Sequence, residues 1–108
     1  MTAVTILQEA EDELRDAVDY YEKKASGLGL DLAVEIERAL QTIAEHPGRW
    51  PLRHDGTRRY LAYRFPYIIV YSYENDRVWV LAFAHCRQKP SYWNNRTRPS
   101  NPDSGFSY

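Results

Sequence analysis

A chain of 108 residues with 44% hydrophobic side chains is long enough for one domain with a modest core and too apolar for wholesale disorder. No run reaches the roughly 18 apolar residues of a membrane-spanning helix, and no basic segment followed by an apolar stretch opens the chain, so neither a membrane span nor a secretory signal is expected. The formal net charge is −1 and Cys86 is the single cysteine, which excludes an internal disulfide and a thiolate metal cluster and fits a reducing cytoplasm.

Val4-Thr5-Ile6-Leu7 predicts a short strand at a sheet edge. From Glu9 the period changes: Ala10, Leu14, Ala17 and Tyr21 recur at helical spacing, with Val18 beside them. Acids crowd the first turn and Lys23 and Lys24 the last, as the helix dipole favours. Ser26-Gly27-Leu28-Gly29 breaks this helix, with Gly27 suited to the C′ position. A second helix carries Leu32, Ile36, Ala39, Leu40 and Ile43 on one stripe and ends before Pro47. The pair predicts an antiparallel helical hairpin.

His46-Pro47-Gly48-Arg49-Trp50-Pro51-Leu52 is a turn-rich connector, in which Trp50 caps the core or meets a partner, the core cap being favoured. Residues 58–87 then read as three antiparallel strands in a meander, with Phe65-Pro66 interrupting the first run and Asn75-Asp76 as a two-residue hairpin loop. Counting outward from that loop pairs Ser72 with Trp79, Val70 with Leu81 and Ile68 with Phe83, an apolar face for the helices to cover. The other face pairs Tyr73 with Val78, Tyr71 with Val80, Ile69 with Ala82 and Tyr67 with Ala84. Phenols over small partners make it either an open binding face or a second core layer; binding is favoured, because so short a chain buries both faces of a sheet only with difficulty. The fold class expected is α+β: an N-terminal strand, a helical hairpin and a three-stranded antiparallel meander. The composition turns polar after Arg96, which sets a domain at 1–96 and a tail at 97–108, expected to be disordered unless bound.

Residues 1–45 hold 4 Lys or Arg against 11 Asp or Glu, and residues 46–108 hold 10 against 4. This division brings the C-terminal half to an anionic partner, lets acidic helices neutralise a basic sheet, or does both at once. No Walker loop, dinucleotide fingerprint, metal-ligand spacing or serine elbow is present, so no cofactor and no metal are expected. A basic and aromatic cluster remains: Arg58, Arg59, Arg64, Tyr67, Tyr71, His85, Arg87, Lys89, Tyr92 and Trp93. His85 with Arg87 or Lys89 has the groups that metal-free RNA cleavage needs, and Arg87 and Tyr92 can reach one rim of the sheet. The same cluster equally suits binding without chemistry, and His85, at a strand end on the core-facing side, suits a structural role slightly better.

The order strand, two helices, three strands resembles the RelE/ParE superfamily of toxins from bacterial type II toxin–antitoxin modules over roughly residues 4–96. The likeness rests on Ala17-Val18-Asp19-Tyr20-Tyr21-Glu22, Gly27-Leu28-Gly29, Pro47 with Trp50-Pro51, Arg58-Arg59, Phe65 to Tyr71 and Ala84 to Trp93. It implies a small cytoplasmic, plasmid-stabilisation type toxin that inhibits growth and is neutralised by a cognate antitoxin encoded beside it, with a toxin–antitoxin hetero-oligomer as the expected assembly. RelE-like members cut messenger RNA on the ribosome without metal, which would make His85, Arg87 and Tyr92 the catalytic candidates. ParE-like members act on DNA gyrase. Phe65-Pro66-Tyr67 resembles the ParE-like branch, and a basic residue usual in the nucleases is replaced by Tyr67. A degenerate member that only binds its antitoxin is the third reading. An acidic amphipathic antitoxin segment is expected to meet Arg58, Arg59, Arg64, Tyr67, Tyr71, Tyr73, Lys89 and Trp93.

Overall fold

A computed structural model of the chain describes residues 2–88 and 92–96; the expected tail at 97–108 and the candidate Lys89 lie outside the described residues. Strand β1 (Ala3–Ile6) leads into helix α1 (Gln8–Lys24) and helix α2 (Leu28–Glu45). Strands β2 (Arg58–Leu61), β3 (Tyr67–Glu74) and β4 (Arg77–His85) follow, so the expected βααβββ order is present. The sheet order is β1-β4-β3-β2. β2, β3 and β4 form the antiparallel meander, but β1 joins β4 in parallel, which makes the sheet mixed.

The helical hairpin closes differently from the expected Gly27 C′ cap. α1 ends at Lys24 with Ala25 as its cap, and Gly27, at φ 88°, stands instead at the N-cap of α2. Glu22 on the last turn of α1 accepts hydrogen bonds from the amides of Gly27 (2.9 Å) and Gly29 (3.0 Å), satisfying two donors at the start of α2. The helices touch at Gly29: a Cβ there would lie 2.5 Å from the Val18 carbonyl oxygen.

The β3–β4 turn follows the expected chemistry, with Asn75 at φ 53° and Asp76 at φ 58°. Register follows too, but only as far as Tyr71 opposite Val80. A bulge then leaves Leu81 unpaired, and the pairs beyond it are Val70–Ala82, Ile69–Phe83, Ile68–Ala84 and Tyr67–His85. The expected pairs Val70–Leu81, Ile68–Phe83, Ile69–Ala82 and Tyr67–Ala84 therefore do not form. One inserted residue changes the parity of every pair after it, and a count from the loop cannot detect it.

The assignment of faces is also reversed. The helices cover the tyrosine face: Tyr71, Ile69, Val78, Val80 and Phe83 share one core with Ala10, Ala17, Leu32, Ile36, Ala39 and Ile43, and Tyr60, Tyr67 and Tyr73 pack against it. Small residues on the helices leave the depth that long rings fill, and the Tyr71 hydroxyl reaches an acceptor by donating to the Pro47 carbonyl (2.9 Å). The opposite face is not open. Trp93 and Tyr92 lie over Ile68, Val70, Ala82 and Ala84, while Leu7 packs with Trp79 and Leu81. Residues 92–96 thus form a strap that covers the face the helices leave. Trp50 caps the core, its ring 5.1 Å from that of Tyr60.

Candidate functional site

The strap is held through one carboxylate. β1 stops opposite Val80, so residues 81–85 of β4 have no strand on that side. Glu13 of α1 fills in: one carboxylate oxygen accepts from the Phe83 amide (3.0 Å) and from Arg96 (3.0 Å), the other from Arg96 (2.8 Å) and the Tyr92 hydroxyl (2.8 Å). Arg96 also donates to the Leu81 carbonyl (2.7 Å), beside the bulge, and lies over the Tyr92 ring. Burial, and next the hydrogen bond to Glu13, push the Tyr92 phenol well above its ordinary range.

The three catalytic candidates are engaged unequally. Tyr92 is committed to Glu13. The His85 ring meets Tyr67 edge-on at 5.2 Å, and its Nδ1 accepts the Arg87 amide (3.0 Å). Arg87 itself is exposed. Among the described residues, no three His, Cys, Asp or Glu side chains gather as a metal site would require.

The binding candidates also divide. Arg58, on the helix side, donates to the Trp50 carbonyl (2.6 Å) and ties the connector to the sheet. Arg59, on the strap side, lies 5.1 Å over the Trp93 ring and 3.9 Å from Asp55; burial, with Arg53 nearby, lowers its pKa despite Asp55. Trp93 is buried under it. Tyr71 is fully buried, and burial pushes its phenol up to about 12. Tyr67 and Tyr73 are half-buried against the core. The anticipated row of accessible phenols is therefore core packing, and of these residues Arg64 stands most open, in the β2–β3 loop.

Open apolar surface lies elsewhere. A groove of about 490 Å³ runs between α2 and the β2–β3 loop, lined by Leu30, Val34, Arg38, Tyr60, Tyr63 and Arg64 among others. Leu30 is 65% exposed and Tyr63 94%. Glu35 fixes the far wall by accepting the amides of Tyr63 (2.6 Å) and Arg64 (2.8 Å), and Arg64 reaches Asp31 at 3.6 Å. The sequence reading missed this groove and Glu13. Both left a signal: Leu30 and Val34 are apolar four apart yet off the core stripe, and Glu13 falls on the Ala10–Ala17 face among acids that otherwise point outward.

Residues 4–90 match the family described as "ParE toxin of type II toxin-antitoxin system, parDE". The chain belongs to the ParE toxin family. It is thus a toxin of a parDE-type module within the broader superfamily its sequence resembles. A solved structure titled "Chromosomal ParDE TA system from P. aeruginosa" superimposes with a TM-score of 0.66 over 79% of this chain and 96% of that one. At 16% identity the likeness is one of fold. No curated protein matches the chain. Among the described residues of this ParE-family chain, no helix is long and apolar enough to cross a membrane.

Proposed function

We propose that this ParE-family toxin acts in the cytoplasm by binding a protein target, with DNA gyrase the first candidate, and that its cognate antitoxin holds it inactive. The observation that carries the reading is the engagement of Tyr92. A general acid must present its proton to a leaving group, whereas this phenol donates to Glu13 while Arg96 covers its ring. The groove beside α2 supports the same reading, since apolar surface of this kind suits a protein partner. The rival reading is ribosome-dependent RNA cleavage, in which exposed Arg87 beside His85 would meet the phosphate.

Expression without the antitoxin, scored together for growth, gyrase supercoiling and cleavage of ribosome-bound messages, separates these. The reading expects growth arrest and lost supercoiling with intact messages, restored by co-expressed antitoxin. Cleaved messages that become intact in Arg87→Ala would instead establish the nuclease. Growth without arrest would leave a family member that only binds its antitoxin.

A further inference from the structure

We propose that the end of the sheet where the chain enters β2 is a face for the phosphate backbone of duplex DNA, contacted chiefly by Arg49 and Arg53. The contact itself stands on the local charge; its part in toxicity rests on the reading of gyrase, an enzyme that works on DNA, as the target.

Residues 46–61 hold four arginines, Arg49, Arg53, Arg58 and Arg59, against one acid, Asp55. Folding gathers them at one end of β2. Arg49 lies 5.5 Å over the Trp50 ring, and Arg58 donates to the Trp50 carbonyl (2.6 Å), so both cations meet the same residue. The Arg53 amide closes a turn on the Thr57 carbonyl (2.8 Å). That turn brings the Arg53 charge near Arg59, whose pKa is lowered by burial first and by Arg53 second. Asp55 offsets one of the four charges: one of its oxygens accepts the amide and hydroxyl of Thr57, and the other lies 3.9 Å from Arg59. Arg49 and Arg53 are exposed. The exposed acids Glu9, Glu11, Asp16 and Asp19 stand on α1, which packs on β4, two strands away from β2. An anionic polymer is therefore repelled from one side of the molecule and drawn to the other.

Chemistry selects the occupant. Arginine takes phosphate oxygens in two-point contacts. The loop that carries these arginines is braced, with the Tyr71 hydroxyl on the Pro47 carbonyl (2.9 Å) and the Arg49 amide on the His46 carbonyl (3.0 Å), so little ordering cost falls on binding. A single strand fits less well, because it seeks open rings to stack on, and the Trp50 ring already meets Arg49 and Tyr60. An acidic peptide seeks several apolar anchors beside its carboxylates, and residues 46–57 expose one large apolar side chain, Leu52. The backbone of a duplex needs neither rings nor anchors, only cations within its reach.

The test titrates the full chain into a fluorescent duplex of about 20 base pairs at about 50 mM salt, read by anisotropy. Binding is expected in the non-specific range of roughly 10⁻⁴–10⁻⁶ M, with a slope of log affinity on log salt of about −2 to −4. Two duplexes of unrelated sequence should bind alike, since phosphates carry no sequence. Arg49→Ala with Arg53→Ala should weaken binding by about tenfold or more and make the slope shallower by about 2. Arg49→Lys with Arg53→Lys keeps both charges and should retain most of the affinity. Arg15→Ala, which removes an exposed cation from α1, should stay within twofold of wild type. Unchanged melting temperatures show that the variants are folded. No binding of the duplex, or an alanine pair within twofold of wild type, overturns the inference. A single strand that binds more tightly than the duplex, or polyglutamate that displaces it equally well, overturns the duplex as partner. In a supercoiling assay the alanine pair should need about tenfold more protein than wild type for equal inhibition. Equal inhibition by the two overturns the DNA contact and leaves the gyrase reading standing, whereas wild-type protein that binds the duplex yet leaves supercoiling intact overturns the gyrase reading alone.

Discussion

Glu13 and Arg96, 83 positions apart in sequence, meet in a two-point ion pair of 2.8 and 3.0 Å that joins helix α1 to the last described residue. The same carboxylate caps Phe83 where β1 runs out, so one side chain closes a sheet edge and holds the strap. Both partners are mostly withdrawn from water, with side chains 15% and 22% exposed. Removing one therefore strands the other with little solvent to meet it.

Arg96→Ala is expected to cost about 2–3 kcal/mol, below the 3–5 typical of a fully buried pair because some solvent reaches this one. For a domain of this size that lowers the melting temperature by roughly 10–15 °C. Glu13→Gln should cost a similar amount, and the double variant clearly less than the sum, because the two changes remove the same contact. A calorimetric melting temperature for Arg96→Ala within 1 °C of wild type would sink the clasp as a stabilising contact.

Truncation locates the end of the folded unit. The last contact of the strap is made by Arg96, so a chain ending there is expected to melt within about 2 °C of the full chain. A chain ending at Gln88 loses Tyr92, Trp93 and Arg96 and bares Ile68, Val70, Ala82 and Ala84. It should be strongly destabilised and prone to aggregate. Equal melting temperatures for the two truncations would show that the strap contributes nothing.

Alkaline pH should single out two phenols. Tyr71 and Tyr92 both have pKa values raised above 10.0, Tyr71 to about 12, by burial first, and for Tyr92 by its bond to Glu13 as well. A raised folded-state pKa means that the stabilisation is fully present below the unfolded value near 10 and is lost as pH rises through the folded one. The wild-type urea midpoint should therefore fall between pH 10 and 12 more steeply than those of Tyr71→Phe and Tyr92→Phe. Identical pH slopes in all three proteins would contradict the burial and bonding of these hydroxyls.

Gly29→Ala tests the contact between the helices. The added methyl meets a backbone oxygen, Val18 O, that cannot swing aside as a side chain would. Despite alanine's better helix propensity, a loss of about 1–3 kcal/mol is expected from the forced separation. An unchanged or raised denaturation midpoint would show that the hairpin relaxes without cost.

Much of this molecule is local enough to be legible in the sequence. Helical periodicity from Ala10 to Tyr21 and from Leu32 to Ile43, the stop before Pro47 and the Asn75-Asp76 turn depend on neighbours a few positions away, and each element formed as expected. The family follows from the same order of elements, and residues 4–90 carry it. Local patterning also placed Trp50 on the core.

Tertiary structure decided the rest. Whether the apolar or the tyrosine face meets the helices depends on matching the depth of the rings to Ala10, Ala17 and Ala39, which periodicity does not measure. The bulge at Leu81 depends on groups from three places at once, Arg96 at the Leu81 carbonyl, Glu13 at the Phe83 amide and β3 across the ladder. Glu13 and Arg96 look like ordinary members of an acidic helix and a basic half until the chain brings them within 3 Å. Periodicity reveals which way a side chain points along its own element; only packing between elements selects what it points at, because that choice turns on shape and unsatisfied hydrogen bonds many positions away.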